Sequence, residues 1–183
     1  MNINLKYMLV HRDKNGSIIN KPRFKKADSY VQGFIGGLYY AVCYTHCTMP
    51  NTGGTAGGIA FITNSMASMG NSGNGLQFGL SDTAVTINNC RLGTPCAHGT
   101  NAANKLIYMA LVDTTLFSSG GKRYYRMSRT VTNGCGSPVA IKEVGCVAAG
   151  AGADATLQFR DLSSLTLADG ETATLVYEES ITV

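Results

Sequence analysis

The sequence predicts a mainly β protein: an antiparallel β-sandwich or jelly-roll-like domain with one N-terminal helix and a basic N-terminal arm. Three observations predict it. From residue 76 onward, short apolar runs recur at even spacing with Gly, Asn, Asp and Ser between them, and no helical pattern intervenes. Val139–Val144 and Thr172–Tyr177 alternate in period two, as half-buried strands do. The composition of 22 glycines, 4 prolines and only 14% charged residues suits a loop-rich β protein or one whose surface is covered by neighbours.

The elements follow in chain order. Asn4–Val10 has strand-like spacing with Leu5, Tyr7 and Leu9 on one face. Asp13-Lys14-Asn15-Gly16 is a turn signal, since Asn-Gly tolerates positive φ, and Ser17–Ile19 returns as a short strand. Residues 1–26 thus read as a basic hairpin or arm, and 27–183 as one β-rich domain. A helix is predicted over 29–44, where Val31, Phe34, Ile35, Leu38 and Val42 share a helical face and Asp28 or Ser29 can cap. Gly33, Gly36 and Gly37 each weaken it by about 1 kcal/mol relative to Ala, which implies a close backbone neighbour. Residues 48–58 and 64–75 read as loops. Strands are predicted at 76–80, 83–87, 104–112, 123–132, 139–148, 155–160 and 172–183. Phe78, Leu106, Tyr108, Val131, Ile141, Val144, Leu157, Leu175 and Tyr177 are the expected core.

Charge is uneven. Residues 1–26 carry seven Lys or Arg against Asp13 alone, whereas residues 154–179 carry six Asp or Glu against Arg160 alone. Two solvated ends are one reading, and docking of one end on an acidic partner is the other. On the docking reading, Lys6, Arg12, Lys14, Arg23, Lys25 and Lys26 are the candidate assembly contacts, together with Gly33 and Gly37 of the helix. Nucleic acid competes with a neighbouring subunit as the acidic partner. The alternation of Leu5, Tyr7 and Leu9 favours the subunit, because docking would bury that face.

Residues that could carry chemistry do not converge. Cys43, Cys47, Cys90 and Cys96, with His46 and His98 nearby, have poor spacing for zinc, and a disulfide within either pair or inert buried thiols compete. Gly53–Gly58 lacks the Lys-Ser/Thr of a phosphate loop, and Asp82 and Asp113 are isolated. No cofactor, metal or catalytic residue is assigned, and no enzyme activity is expected. The apolar stretch Val31–Tyr44 is too short for a membrane span, and no leader peptide is evident.

Two sets of residues carry a resemblance. One is Gly79-Leu80-Ser81-Asp82-Thr83-Ala84-Val85-Thr86, running on to Ala97-His98-Gly99. The other joins Arg129–Asn133, Val139–Gly145, Leu157–Asp161 and Leu167–Tyr177. With the entry Lys25–Val31, the set resembles virion structural proteins of tailed bacteriophages over roughly residues 25–34 and 76–183. Cys135, Cys146 and the Met- and Gly-rich stretch 64–75 depart from that pattern. The resemblance implies a sandwich in the virion, at head, neck or tail, made in the host cytoplasm. Its partners would be other virion proteins and copies of itself in a homo-oligomer. A filament or pilus subunit that completes its neighbour's sheet is the alternative, and a small metal-dependent hydrolase is a third reading.

Overall fold

A computed structural model describes residues 2–27, 49–50, 56–57, 67–149 and 155–182. Twelve strands are formed by the described residues, and none of those residues is helical. In chain order they are β1 (Asn2–Arg12), β2 (Lys25–Lys26), β3 (Met49–Pro50), β4 (Ala56–Gly57), β5 (Gly75–Gly79), β6 (Ala97–His98), β7 (Lys105–Tyr108), β8 (Val112–Ser119), β9 (Lys122–Thr132), β10 (Val139–Ala149), β11 (Ala155–Leu167) and β12 (Thr172–Thr182). The predicted helix over 29–44, with Gly33 and Gly37, lies outside the described residues.

The larger sheet runs β2-β1-β12-β9-β7-β6, with β8 also on β9, and all its pairings are antiparallel except β6 with β7. The smaller sheet is β11-β10-β5 and wholly antiparallel. β3 and β4 make a separate antiparallel pair. Both larger sheets contribute to one core. Leu5 and Tyr7 of β1, Met127 and Val131 of β9, and Leu175 and Tyr177 of β12 join Phe78 of β5, Ile141 and Val144 of β10, and Phe159 of β11. Phe159 and Tyr177 stack at 4.8 Å between centroids, and the Tyr7 hydroxyl donates to the Leu162 carbonyl at 3.2 Å. All nine expected core residues are buried, with Leu157 in a second small cluster beside Leu92 and Val147.

The segment read as an arm is built into the body. β1 pairs with β12 along its whole length, from Asn2 opposite Thr182 to Arg12 opposite Thr172. The reason is the apolar alternation itself: Leu5 and Tyr7 are buried in this chain's own core, so the face expected to dock on a neighbour is already covered. The oppositely charged ends meet within the chain, with Lys6 opposite Glu178 and His11 Nε2 2.8 Å from Glu171.

Other strand assignments change as well: the expected return strand at 17–19 is reduced to a single bridge between Ile18 and Arg12. The predicted strand 83–87 does not form, because the Thr83 and Ala84 carbonyls accept from the Arg160 side chain and not from a ladder. The predicted strand 104–112 divides. β7 ends at Tyr108, and β8 starts a hairpin with β9 closed by Gly120 and Gly121, both at positive φ (57° and 73°).

Candidate interaction surface

The expected assembly cations converge on one edge of the larger sheet. Lys6 on β1 stands opposite Lys26 on β2, and Tyr7 opposite Lys25. Between the first turn and β2 the chain runs back along β1 and closes its outer edge. The Ile19 N–H donates to the His11 carbonyl at 3.0 Å, and the Ala27 N–H donates to the Leu5 carbonyl at 2.9 Å. Between them Asn20 accepts from the His11 N–H at 2.9 Å and donates to the Leu9 carbonyl at 2.8 Å. A neighbour's strand therefore meets occupied backbone groups there. Lys21, Arg23, Lys25 and Lys26 are exposed along this strip, beside Ile18 (49% exposed), Ile19 (52%) and Phe24 (39%). Arg12, which donates to the Gly16 carbonyl at 3.0 Å, and Lys14 mark its far end. Asp13, the one acid of this segment, accepts from the Asn15 and Ser17 N–H groups at 2.8 Å and so is spent on its own turn.

Arg126 on β9 was not among the expected contacts. Its guanidinium pairs with Glu178 on β12, lies over the Phe24 ring at 5.6 Å and the Phe117 ring at 5.3 Å, and so ties the strip to the outer face of the sheet. Phe117 in turn stacks on Tyr124 at 4.9 Å. The sequence separation of Phe24 from Phe117 and Arg126 hides this grouping, and only the strand order reveals it.

Three of the buried charges, Arg129, Glu143 and Arg160, are directed largely at backbone. Arg160 on β11 and Glu143 on β10 face each other at 2.6 Å, with side chains 1% and 0% exposed. Glu143 accepts the N–H groups of Gly93 (3.0 Å), Thr94 (2.8 Å) and Ser81 (3.3 Å), while Arg160 donates to the Thr83 carbonyl (3.0 Å) and to Asn89 Oδ1 (3.1 Å). The pair thus pins the loop 81–94 over the smaller sheet. Gly79 makes room, since a Cβ there would lie 2.7 Å from Glu143 Cγ. Arg129 on β9 does the same for the loop 68–76. It donates to the carbonyls of Asn74 (2.8 Å), Leu76 (3.2 Å), Ser68 (3.3 Å) and Asn71, and to Met109 across the strand (3.0 Å). Buried Asn133 donates to the Ser137 and Leu167 carbonyls and accepts from the Cys135 N–H, locking two turns together.

Of the residues weighed for metal or nucleophilic chemistry, Cys43, His46 and Cys47 lie outside the described residues. Cys90, Cys96, Cys135 and Cys146 are free thiols, so the possible Cys90–Cys96 disulfide is not formed. The His98 Nδ1 accepts from the Tyr108 N–H at 3.1 Å. No three His, Cys, Asp or Glu side chains converge among the described residues. Asp82 pairs with Lys142 at 2.8 Å, which holds its exposed carboxyl below the usual range.

Burial pushes the Cys96 and Cys146 thiols up to about 12, from 9.0. The charge on Glu143 adds to this at Cys96, and that on Glu179 at Cys146. A raised pKa stabilises the fold fully below the unfolded value, and that stability is lost as pH climbs towards the folded one. We therefore expect stability to fall between about pH 9 and pH 12, by about 1.4 kcal/mol per pH unit for each such thiol. Urea midpoints measured from pH 7 to pH 11 check this. Cys146→Ala should flatten the alkaline limb, and an unchanged limb would contradict the assignment.

No protein-family model matches the chain, and neither a curated protein nor a solved structure shows significant similarity to it.

Proposed function

We propose that this chain is a structural component of a tailed-bacteriophage virion, a β-sandwich of jelly-roll type that acts through contacts with other virion proteins and with copies of itself. The observation that carries the reading is where the resembling residues fall in the fold. Ser81, Thr83 and Ala84 of the first stretch are held by Glu143 and Arg160 of the second. Asn133 and Gly170 of the second stretch bind each other through backbone, at 2.8 Å. The stretches that suggest the family are therefore the interlocks between strands and loops. A likeness resting on them is a likeness of architecture. The shared core of the two sheets supports a sandwich. The buried ionic groups support a scaffold role, because Arg129, Glu143 and Arg160 direct most of their hydrogen bonds at the backbone of the loops they pin.

The test is immunogold electron microscopy of particles from the culture that makes the protein. Gold on head, neck or tail is the expected result and also selects among the three. Protein recovered only in the soluble host fraction, with unlabelled particles, would overturn the proposal.

A further inference from the structure

We propose that the basic edge of the larger sheet binds the phosphate backbone of nucleic acid without regard to sequence. The inference begins with what β1 does with its two kinds of residue. An acidic protein partner is attractive only while Leu5, Tyr7 and Leu9 are available to dock on it. Leu5 and Tyr7 are buried in the chain's own core, and Leu9 packs against it. What the edge offers outward is a row of cations, with Ile18, Ile19 and Phe24 exposed beside them. Arg12 and Lys14 lie at one end, Lys21, Arg23 and Lys25 along the strip, and Lys6 with Lys26 at the other end.

The dimensions fit a polyanion. Lys6 and Arg12 are six residues apart on one strand, which is about 20 Å at 3.3–3.4 Å per residue. One strand of a duplex advances about 3.4 Å per phosphate, so the edge faces about six phosphates. Of the acids near the row, Asp13 is held on its turn and Glu171 on His11, while Glu178 pairs with Arg126 and also stands opposite Lys6, which leaves Arg12, Lys14, Lys21, Arg23 and Lys25 as the main cations of the edge. Backbone groups along β1 are closed by residues 18–27, so the edge is held as a fixed rail and does not invite another strand. This inference goes beyond the assembly reading and is tested apart from it.

The experiment measures binding of the full chain to a fluorescein-labelled 30-base-pair duplex DNA by anisotropy, from 50 to 300 mM salt. Log affinity should fall linearly with log salt, with a slope of about −4 to −6, and should be the same for unrelated sequences. Lys21→Gln/Arg23→Gln/Lys25→Gln should weaken binding at low salt by at least about 100-fold and make the slope about 3 units shallower. These positions are exposed, and the thermal midpoint should stay at the wild-type value. Arg91→Gln/Arg123→Gln/Lys142→Gln removes the same charge elsewhere on the exposed surface and should leave most of the affinity. Equal loss in both triple variants would reduce the effect to net charge and overturn the proposal. So would unchanged affinity in the edge variant, or tighter binding of poly-L-glutamate than of DNA, which would point to an acidic protein partner.

Discussion

Arg160→Met is expected to destabilise the protein by about 3–5 kcal/mol, as removal of one member of a buried ion pair does. The methionine matches much of the volume, so the loss is electrostatic and not a cavity effect. Arg160 and Glu143 are 1% and 0% exposed, and each is the other's only oppositely charged contact in the described network. Without the guanidinium, Glu143 keeps the N–H groups of Gly93, Thr94 and Ser81 but carries an uncompensated charge in a site closed to water. The Thr83 and Ala84 carbonyls lose their donor at the same time. Glu143→Met/Arg160→Met should cost less than the sum of the two single changes, because no buried charge is left. It should not restore wild-type stability, since the loop 81–94 then keeps only the exposed Asp82–Lys142 pair and the packing of Leu92 to hold it on the smaller sheet. Urea unfolding of the four proteins closes the cycle. A single-variant loss below about 1 kcal/mol would mean that water reaches the pair.

The apolar pattern made most of the fold legible, while the polar interlocks stayed hidden. β9, β10 and β12 match their predicted spans to within about a residue because one face of each is buried, and burial writes alternation into sequence. The predicted strand 155–160 runs on to Leu167 as β11; its second half carries Ser163, Ser164 and Thr166, which weakens the apolar signal. Residues 83–87 alternate as a strand would, yet their carbonyls answer to a side chain 77 positions away, which no local pattern encodes. The interval 113–122 expected as a turn does hold the Gly120-Gly121 turn, but most of it is strand β8, whose polar run Asp113-Thr114-Thr115 gives little apolar signal. Of the candidate contacts, the cations of residues 6–26 do gather on one edge, but their setting was misread. The alternation that implied a partner's surface served the chain's own core. Arg129 left a visible sign. It shares parity with Met127 and Val131, which places a guanidinium on the core-facing side of a strand.

That guanidinium supports the second large expected effect. Arg129 is 1% exposed and donates to five carbonyls, those of Ser68, Asn71, Asn74, Leu76 and Met109, while its Cζ lies 4.7 Å from the centroid of the Tyr108 ring. Arg129→Leu keeps the apolar stem and removes every donor. Each buried carbonyl left unpaired costs about 1–3 kcal/mol, but the loop 68–76 can open to let water in, which caps the total. About 3–5 kcal/mol is expected. Arg129→Lys keeps the charge but offers three donors at one point where the fork reaches carbonyls on both sides of the strand, so it should recover less than half of the loss. The distinguishing readout is local. Hydrogen exchange at the Gly70 amide, which donates to the Tyr108 carbonyl at 3.0 Å, and at the Leu111 amide, which donates to the Ala67 carbonyl at 2.9 Å, should accelerate in both variants more than exchange in β10. Uniform acceleration through β10 would mean that Arg129 supports the whole core. No change at Gly70 and Leu111 would mean that the loop is held without the guanidinium.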